Sequence, residues 1–285
     1  MQAETPDALS PLSEEWDRAL AVVAHPDDLE YGAASAIARW TSQGKSVSYV
    51  LVTSGEAGIA SMAPETAGPL REQEERAGAA IVGVEDVEFL GHPDGMIESG
   101  LRLRKDIARA IRRCRPHALI TINHHATWGG SSFNMADHRV VGLAVMDAAR
   151  DAANRWVFQD LLEGGYQPWG GVRMVCINAS PYPTHAVDVT GFLAQGIRSL
   201  QAHRAYIEGL GGEFDARAFL ESSAAAVGDR AGYEHAVGFE VVTSRPASHR
   251  SGFRAGALSI TSFRSWARFP ASHRSRRSEL QRERE

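Results

Sequence analysis

Cysteine is scarce in this chain: two in 285 residues, Cys114 and Cys176, neither in a CxxC pair. That spacing offers no thiolate metal or redox centre, and both are expected to be buried thiols. Long apolar runs are missing as well; none reaches the ~18 residues that a membrane span requires. The opening "MQAETPDALSPLSEEWDRAL" is acidic and has no apolar h-region, so no signal peptide is read there and a cytoplasmic protein is expected. The sequon at Asn178 then carries no weight. Net charge is -5, which argues against binding nucleic acid by bulk charge. The positive charge that exists gathers at the end, with ten Arg, three Glu and no Lys or Asp from Arg245 onward. This Arg-, Ser- and His-rich stretch has no period and reads as a disordered tail. A basic arm for an anionic partner is the alternative.

The composition is 44% hydrophobic and 23% charged, ordinary for a soluble globular protein. The length allows one large α/β domain or two small ones, and a sizeable core. Apolar runs and helical stripes alternate along it. "ALAVVA" reads as a buried strand. Ala33, Ile37 and Trp40 follow at helical spacing, with Gly44 where a helix ends. "SVSYVLVT" is the next strand, "REQEERAGAAIVG" a helix and "VEFL" a short strand. Leu103, Ile107, Ala110, Ile111 and Cys114 form a helical stripe, followed by a strand at "ALITIN". Val141, Val145, Ala148, Ala149 and Ala152 form another, followed by strands at "VRMVCIN" and "HAVDVT" and a helix carrying Leu193, Ile197 and Leu200. Strands alternating with helices predict a doubly wound, mostly parallel sheet. The expected organisation is a flexible N-terminus over 1–16, one domain over 17–243, and the basic tail over 244–285. Ligands of such sheets sit at the carboxyl ends of the strands. "HPDD", "TSGE" and "NHH" occupy three such ends.

The segment "AVVAHPDDLEYGAASAIARW", from Ala21 to Trp40, crowds His25 and two adjacent acids against a buried strand. Asp at a helix start is a common N-cap, which accounts for Asp27 or Asp28 alone but not for His25 beside them. Imidazole and carboxylate together suit zinc, and a catalytic zinc site has three protein ligands. His25 and Asp28 supply two; His138 in "NMADHRVVG" is the best candidate for the third. Asp27 is then left beside the metal to take a proton from a bound water. A Mg²⁺ phosphoryl-transfer site of the receiver type competes. Magnesium tolerates His poorly, and this chain is more than twice a receiver's length.

"AVVAHPDDLEYGAASAIARW", "VLVTSGEAG", "REQEERAGAAIVGVEDVEFLGHPDG" and "DHRVVG", in that order, resemble the PIG-L, or LmbE-like, zinc-dependent deacetylases, the group of the mycothiol-pathway deacetylase and of antibiotic-glycoside deacetylases. The resemblance covers roughly Ala19 to Val242 and leaves the basic tail without a counterpart. It implies a Rossmann-like three-layer sandwich holding one Zn²⁺ per chain through His25, Asp28 and His138, with Asp27 as general base. Arg71 and Asp94 match positions that contact substrate sugar, although a solvated helix face and an Asp-Gly turn explain them equally well. Glu56 is expected to shape the pocket or to be an exposed loop acid. One departure stands out: where the family often reads "HPDH", this chain reads "MADH". Met135 occupies the place of a His that acts as general acid or oxyanion stabiliser, and a thioether can do neither. His124, His125, His185 and Asn134 are candidate substitutes, and Asp137 is expected to orient its neighbours. The resemblance implies hydrolysis of an N-acyl group from an amino sugar or glycoside, with no nucleic-acid or membrane partner. Amide cleavage of a thiol-sugar conjugate at the same site, and a catalytically impaired zinc- or sugar-binding protein, are the rivals.

Overall fold

The computed structural model describes residues 8–212 and 214–244. Among them the elements run β1 (Ser10–Pro11), β2 (Arg18–Val23), α1 (Ala34–Ser42), β3 (Ser46–Leu51), α2 (Pro64–Ile81), β4 (Val87–Phe89), α3 (Leu101–Cys114), β5 (Ala118–Ile122), α4 (Ala136–Ala153), α5 (Asp160–Glu163), β6 (Met174–Asn178), β7 (His185–Asp188), α6 (Leu193–Gln201), α7 (Arg204–Gly209), α8 (Ala216–Ala231) and β8 (Ala236–Thr243). The strands form one sheet in the order β1-β7-β8-β6-β5-β2-β3-β4. β8 is antiparallel to both β6 and β7, and the other pairings are parallel.

Side chains alternate across a strand, and β2 feeds two cores. Ala19, Ala21 and Val23 pack with Ile37 and Trp40 of α1 and Tyr49 of β3. Leu20 and Val22 pack with Leu103 and Ile107 of α3 and Val141 and Val145 of α4. Burial on both faces explains why these strands read as unbroken apolar runs. A smaller cluster joins α6 to α8 through Ile197, Leu200, Leu220 and Ala224. From β2 the chain builds outward through β3 to β4, then returns to β5 on the other side of β2. The strand order therefore reverses between β2 and β5, and a crevice opens at their carboxyl ends.

Three expectations change. Residues 8–16 are not loose: Ser10 and Pro11 pair with His185 and Ala186 of β7, and Leu9, Leu12 and Trp16 are buried. Trp16 meets Trp40 edge-on at 5.1 Å, so a few apolar side chains anchor a polar segment. The helix expected at Arg71 begins earlier, at Pro64, which takes the first helical position where its missing N–H costs little. The sequence reading also missed α8 and β8. The basic tail, apart from Ser244, lies outside the described residues, as do residues 1–7. No helix among the described residues is long and apolar enough to cross a membrane.

Candidate active site

The chain leaves β2 at Val23 and turns at once, and the acids do not cap a helix. Asp28 reaches backwards: its Oδ2 accepts the backbone N–H of Ala24 at 3.0 Å and of His25 at 2.9 Å. α1 starts only at Ala34, without a side-chain cap. Asp27 sits at φ 90°, a region that non-glycine residues enter only when their surroundings force them. Glu75 is part of that force, since its Oε2 accepts the Asp27 N–H at 3.0 Å.

The first turn of α4 brings His138 to the same point. His138 Nε2 stands 3.0 Å from Asp28 Oδ1 and 3.2 Å from His25 Nδ1. All three side chains are buried. The far nitrogen of each ring is held by an acceptor. His25 Nε2 meets Asp94 Oδ1 at 3.0 Å and Asp137 Oδ2 at 3.3 Å. His138 Nδ1 meets Asn134 Oδ1 at 3.0 Å. The Asn134 Nδ2 donates to the carbonyls of Asn123 and His125, which fixes Oδ1 as the acceptor. Each neutral ring therefore carries its proton on the far nitrogen. The two lone pairs then face each other beside a carboxylate. Such an arrangement calls for a cation. The three near-side separations are 3.0 Å from His138 to Asp28, 3.2 Å from His138 to His25 and 3.8 Å from His25 to Asp28. The first two, to His138 Nε2, lie close to the spacing of roughly 3.3 Å between neighbouring donors of a tetrahedral zinc with bonds of about 2.0 Å; the third runs to Asp28 Oδ2, the oxygen held by the backbone, and one ligand atom from each of the three residues lies within 4.8 Å of the others. The residues present fit the metal that the motif implied.

Arg71 is only 2% exposed and is not a solvated helix residue. Its Nη2 lies 2.6 Å from Asp27 Oδ2 and donates to the Pro26 carbonyl at 2.6 Å, while Nη1 donates to Gly55 O at 2.8 Å. Tyr206 stacks on the guanidinium, 4.2 Å from ring centroid to Cζ. Asp94 does stand in an Asp-Gly turn, with Gly95 at φ 78°. It also orients His25, and its Oδ2 accepts the Ala57 N–H at 2.8 Å. Glu56 accepts the Asp94 N–H at 2.9 Å, tying the loops after β3 and β4 together. Asp137 accepts the N–H groups of Gly95 and Ile97 besides facing His25. His25, Asp27, Asp28, Arg71, Asp94 and His138 all line one cavity of about 440 Å³.

Burial pushes the Asp27 carboxyl well above the usual carboxylate range, against the pull of Arg71. Burial would raise Asp28 as well, but His138 and His25 hold it well below, an opposite charge prevailing over desolvation. For His25, burial opposes charge, yet the carboxylates of Asp137, Asp28 and Asp94 outweigh it and raise its pKa well above the ordinary value. The nest favours positive charge: without a cation His25 itself holds it as a proton, and the neutral rings with facing lone pairs describe the state in which a metal ion takes that proton's place.

Met135 lines the same cavity and is half exposed. None of the substitutes read from sequence fills its role. Asn134 is committed to His138. His125 pairs with Glu240 at 2.8 Å, His124 stacks on His125 at 4.4 Å, and His185 Nδ1 bonds the Thr184 hydroxyl at 2.8 Å. None of these three His lines the cavity. Tyr31, Trp128, Tyr206 and Phe219 do, and the sequence reading named none of them. Trp128 meets the His138 ring edge-on at 5.3 Å. Burial pushes the Tyr31 phenol up to about 12 and that of Tyr206 higher still, so both keep their protons. Behind Asp27 lies a buried group also missed, Glu30, Glu75 and His203. Glu75 sits four residues after Arg71 in "REQEER", on the same helix face, and that spacing was the available signal.

The GlcNAc-PI de-N-acetylase (PIG-L) family model matches residues 20–149. A 1D-myo-inositol 2-acetamido-2-deoxy-alpha-D-glucopyranoside deacetylase of Streptomyces scabiei is 28% identical over 255 residues, covering 70% of this chain and 79% of that protein. Diacetylchitobiose deacetylase of Thermococcus kodakarensis is 25% identical over 188 residues, covering 65% and 68%. Among solved structures, N,N'-diacetylchitobiose deacetylase from Pyrococcus horikoshii superposes with a TM-score of 0.73 at 21% identity, covering 81% of this chain and 85% of that one. A 4-carboxy-2-hydroxymuconate hydratase from Pseudomonas putida does so with a TM-score of 0.63 at 19% identity, covering 80% and 97%. At these identities the superpositions speak for the fold alone. The two sequence relatives are amide hydrolases by name. The span that matches the PIG-L family model, residues 20–149, takes in His25, Asp27, Asp28, Arg71, Asp94 and His138.

Proposed function

We propose that the chain is a zinc-dependent N-deacetylase that releases an acyl group from an amino sugar or glycoside. One observation carries the reading most: His25 Nδ1 and His138 Nε2 face each other at 3.2 Å beside Asp28. They do so in the crevice where the strand order reverses, the usual ligand site of such sheets. The named activities of the relatives support the substrate class. Helices packed against both cores of the sheet support a Rossmann-like three-layer sandwich.

Bound at His25, Asp28 and His138, zinc would polarise the amide carbonyl and make a water more acidic. Asp27 takes the proton of the attacking water. Arg71 and Glu75 hold that carboxylate in place from its side chain and its backbone. With Met135 unable to carry a proton, Asp27 also returns it to the leaving amine. Arg71 and Asp94, at one wall of the cavity, are the candidate contacts for sugar hydroxyls. A thiol-sugar conjugate would use the same residues.

Met135 favours a second reading, a zinc- and sugar-binding protein without catalysis. Incubating the zinc-loaded protein with a panel of N-acetylated amino sugars and glycosides, and following free amine, separates the two. Amine release is expected. No amine from any member, with binding intact, supports the second reading.

A further inference from the structure

The cavity at the candidate active site continues beyond it. Tyr31, Asn178, Ala179 and Phe219 line both this cavity and a second one of about 230 Å³. The second lies beneath α8, walled by Leu193, Leu220, Ala224, Val227 and Val237. The first is divided by chemistry. Arg71 and Asp94 stand on the side of β3 and β4. Ile122, Trp128, Ala179 and Phe219 stand on the side of β5, β6 and α8. The facing histidines lie between, following β2 and opening α4.

An amide with its carbonyl at that point has two halves. A hydroxyl-rich amine half matches the side of Arg71 and Asp94, which leaves the acyl half to the apolar side, the side that opens under α8. A second observation marks the junction. Asn178 is 3% exposed, and no described residue hydrogen-bonds its carboxamide, which opens onto both cavities. It packs so closely on Gly32 that a Cβ there would collide with it. Its polar atoms open onto the cavities and take their hydrogen bonds from what fills them, so Asn178 marks where the two cavities join.

We propose that the substrate's N-acyl group is an apolar chain longer than acetyl, running past Tyr31 and Phe219 into the groove under α8. This rests on the amide-hydrolase reading. The test is kcat/KM for N-acetyl-, N-butanoyl-, N-hexanoyl- and N-octanoyl-glucosamine with the zinc-loaded full chain. Each buried methylene favours binding by about three- to fourfold, so the octanoyl substrate is expected to exceed the acetyl one by at least ~10-fold. Ser223 is exposed on α8 at the edge of the groove. Ser223→Trp fills the groove and is expected to lower the octanoyl-to-acetyl ratio by at least ~10-fold, undoing the gain from those methylenes. An acetyl substrate cleaved as well as every longer one, or a ratio indifferent to Ser223→Trp, overturns the proposal. If no member is cleaved, it is the amide-hydrolase reading that fails. Calorimetry then decides the groove: octanoyl-glucosamine binding more tightly than acetyl-glucosamine supports it, and equal binding overturns it.

Discussion

Asp27 and Asp28 are neighbours in sequence with opposite surroundings. Asp28 accepts two backbone N–H groups and faces two imidazoles; Asp27 faces one guanidinium and the cavity. The first set suits the proposed metal ligand, the second the proposed base that exchanges a proton. In the proposed site His138 closes the ligand set, so replacing it should leave two donors, too few for stable zinc. His138→Ala is expected to lower bound zinc from about one equivalent to a small fraction, measured by mass spectrometry of the purified protein; undiminished metal would remove His138 from the site. His25, Asp27 and Asp28 were legible because their chemistry is local, a His and two acids within four residues. The grip of Arg71 on Asp27 was not legible, since it joins residues 44 apart in sequence. Met135 was legible as a departure, but nothing in the sequence revealed that Asn134 was already committed to His138.

At the scale of elements, α8 roofs the apolar groove and packs on α6 through Leu220 and Ala224. Its start is fixed by Asp215, whose Oδ1 accepts the N–H groups of Arg217 at 2.9 Å and Ala218 at 3.1 Å. Asp215→Ala removes that cap and is expected to destabilise the protein by about 1 kcal/mol, lowering the urea midpoint without changing its slope; an unmoved midpoint would show that the cap does not hold the helix. The buried strands β2, β3 and β5 were readable as apolar runs. α8 was not, because "ARAFLESSAAAVGDRA" has few large apolar residues and a weak face. The start of α2 was masked by Pro64, Gly68 and Pro69, residues that usually mark loops. β8 inserts between β6 and β7, and neighbour order in a sheet is not written in any local pattern.

At the scale of the molecule, burial is used against charge. Burial, assisted by Arg71, pulls the pKa of His203 down to about 3, so the folded protein keeps this ring neutral. A folded pKa below the unfolded value of about 6.5 contributes stability that is present above that pH and lost as pH falls toward the folded value. Burial pushes its neighbour Glu30 up to about 7, with the opposite sign: that contribution is lost as pH rises from about 4.5 to about 7. The two oppose each other, so the wild-type profile alone does not isolate His203. The difference in Tm between wild type and His203→Gln does. It is expected to shrink as pH falls from about 7.5 to about 4.5, because only in the wild type does unfolding free an imidazole that binds a proton the folded state refuses; a constant difference would rule that cost out.

The crevice, its facing histidines and its clamped acid belong to one account, a metal-dependent amide hydrolase in which Asp27 moves the proton. The most direct test is the rate of amine release by wild type and Asp27→Asn, each loaded with equal zinc. Asn preserves the side chain's shape but cannot accept the water's proton, so kcat/KM is expected to fall by about 10²–10⁴ with zinc content unchanged. Full activity in Asp27→Asn would contradict the account.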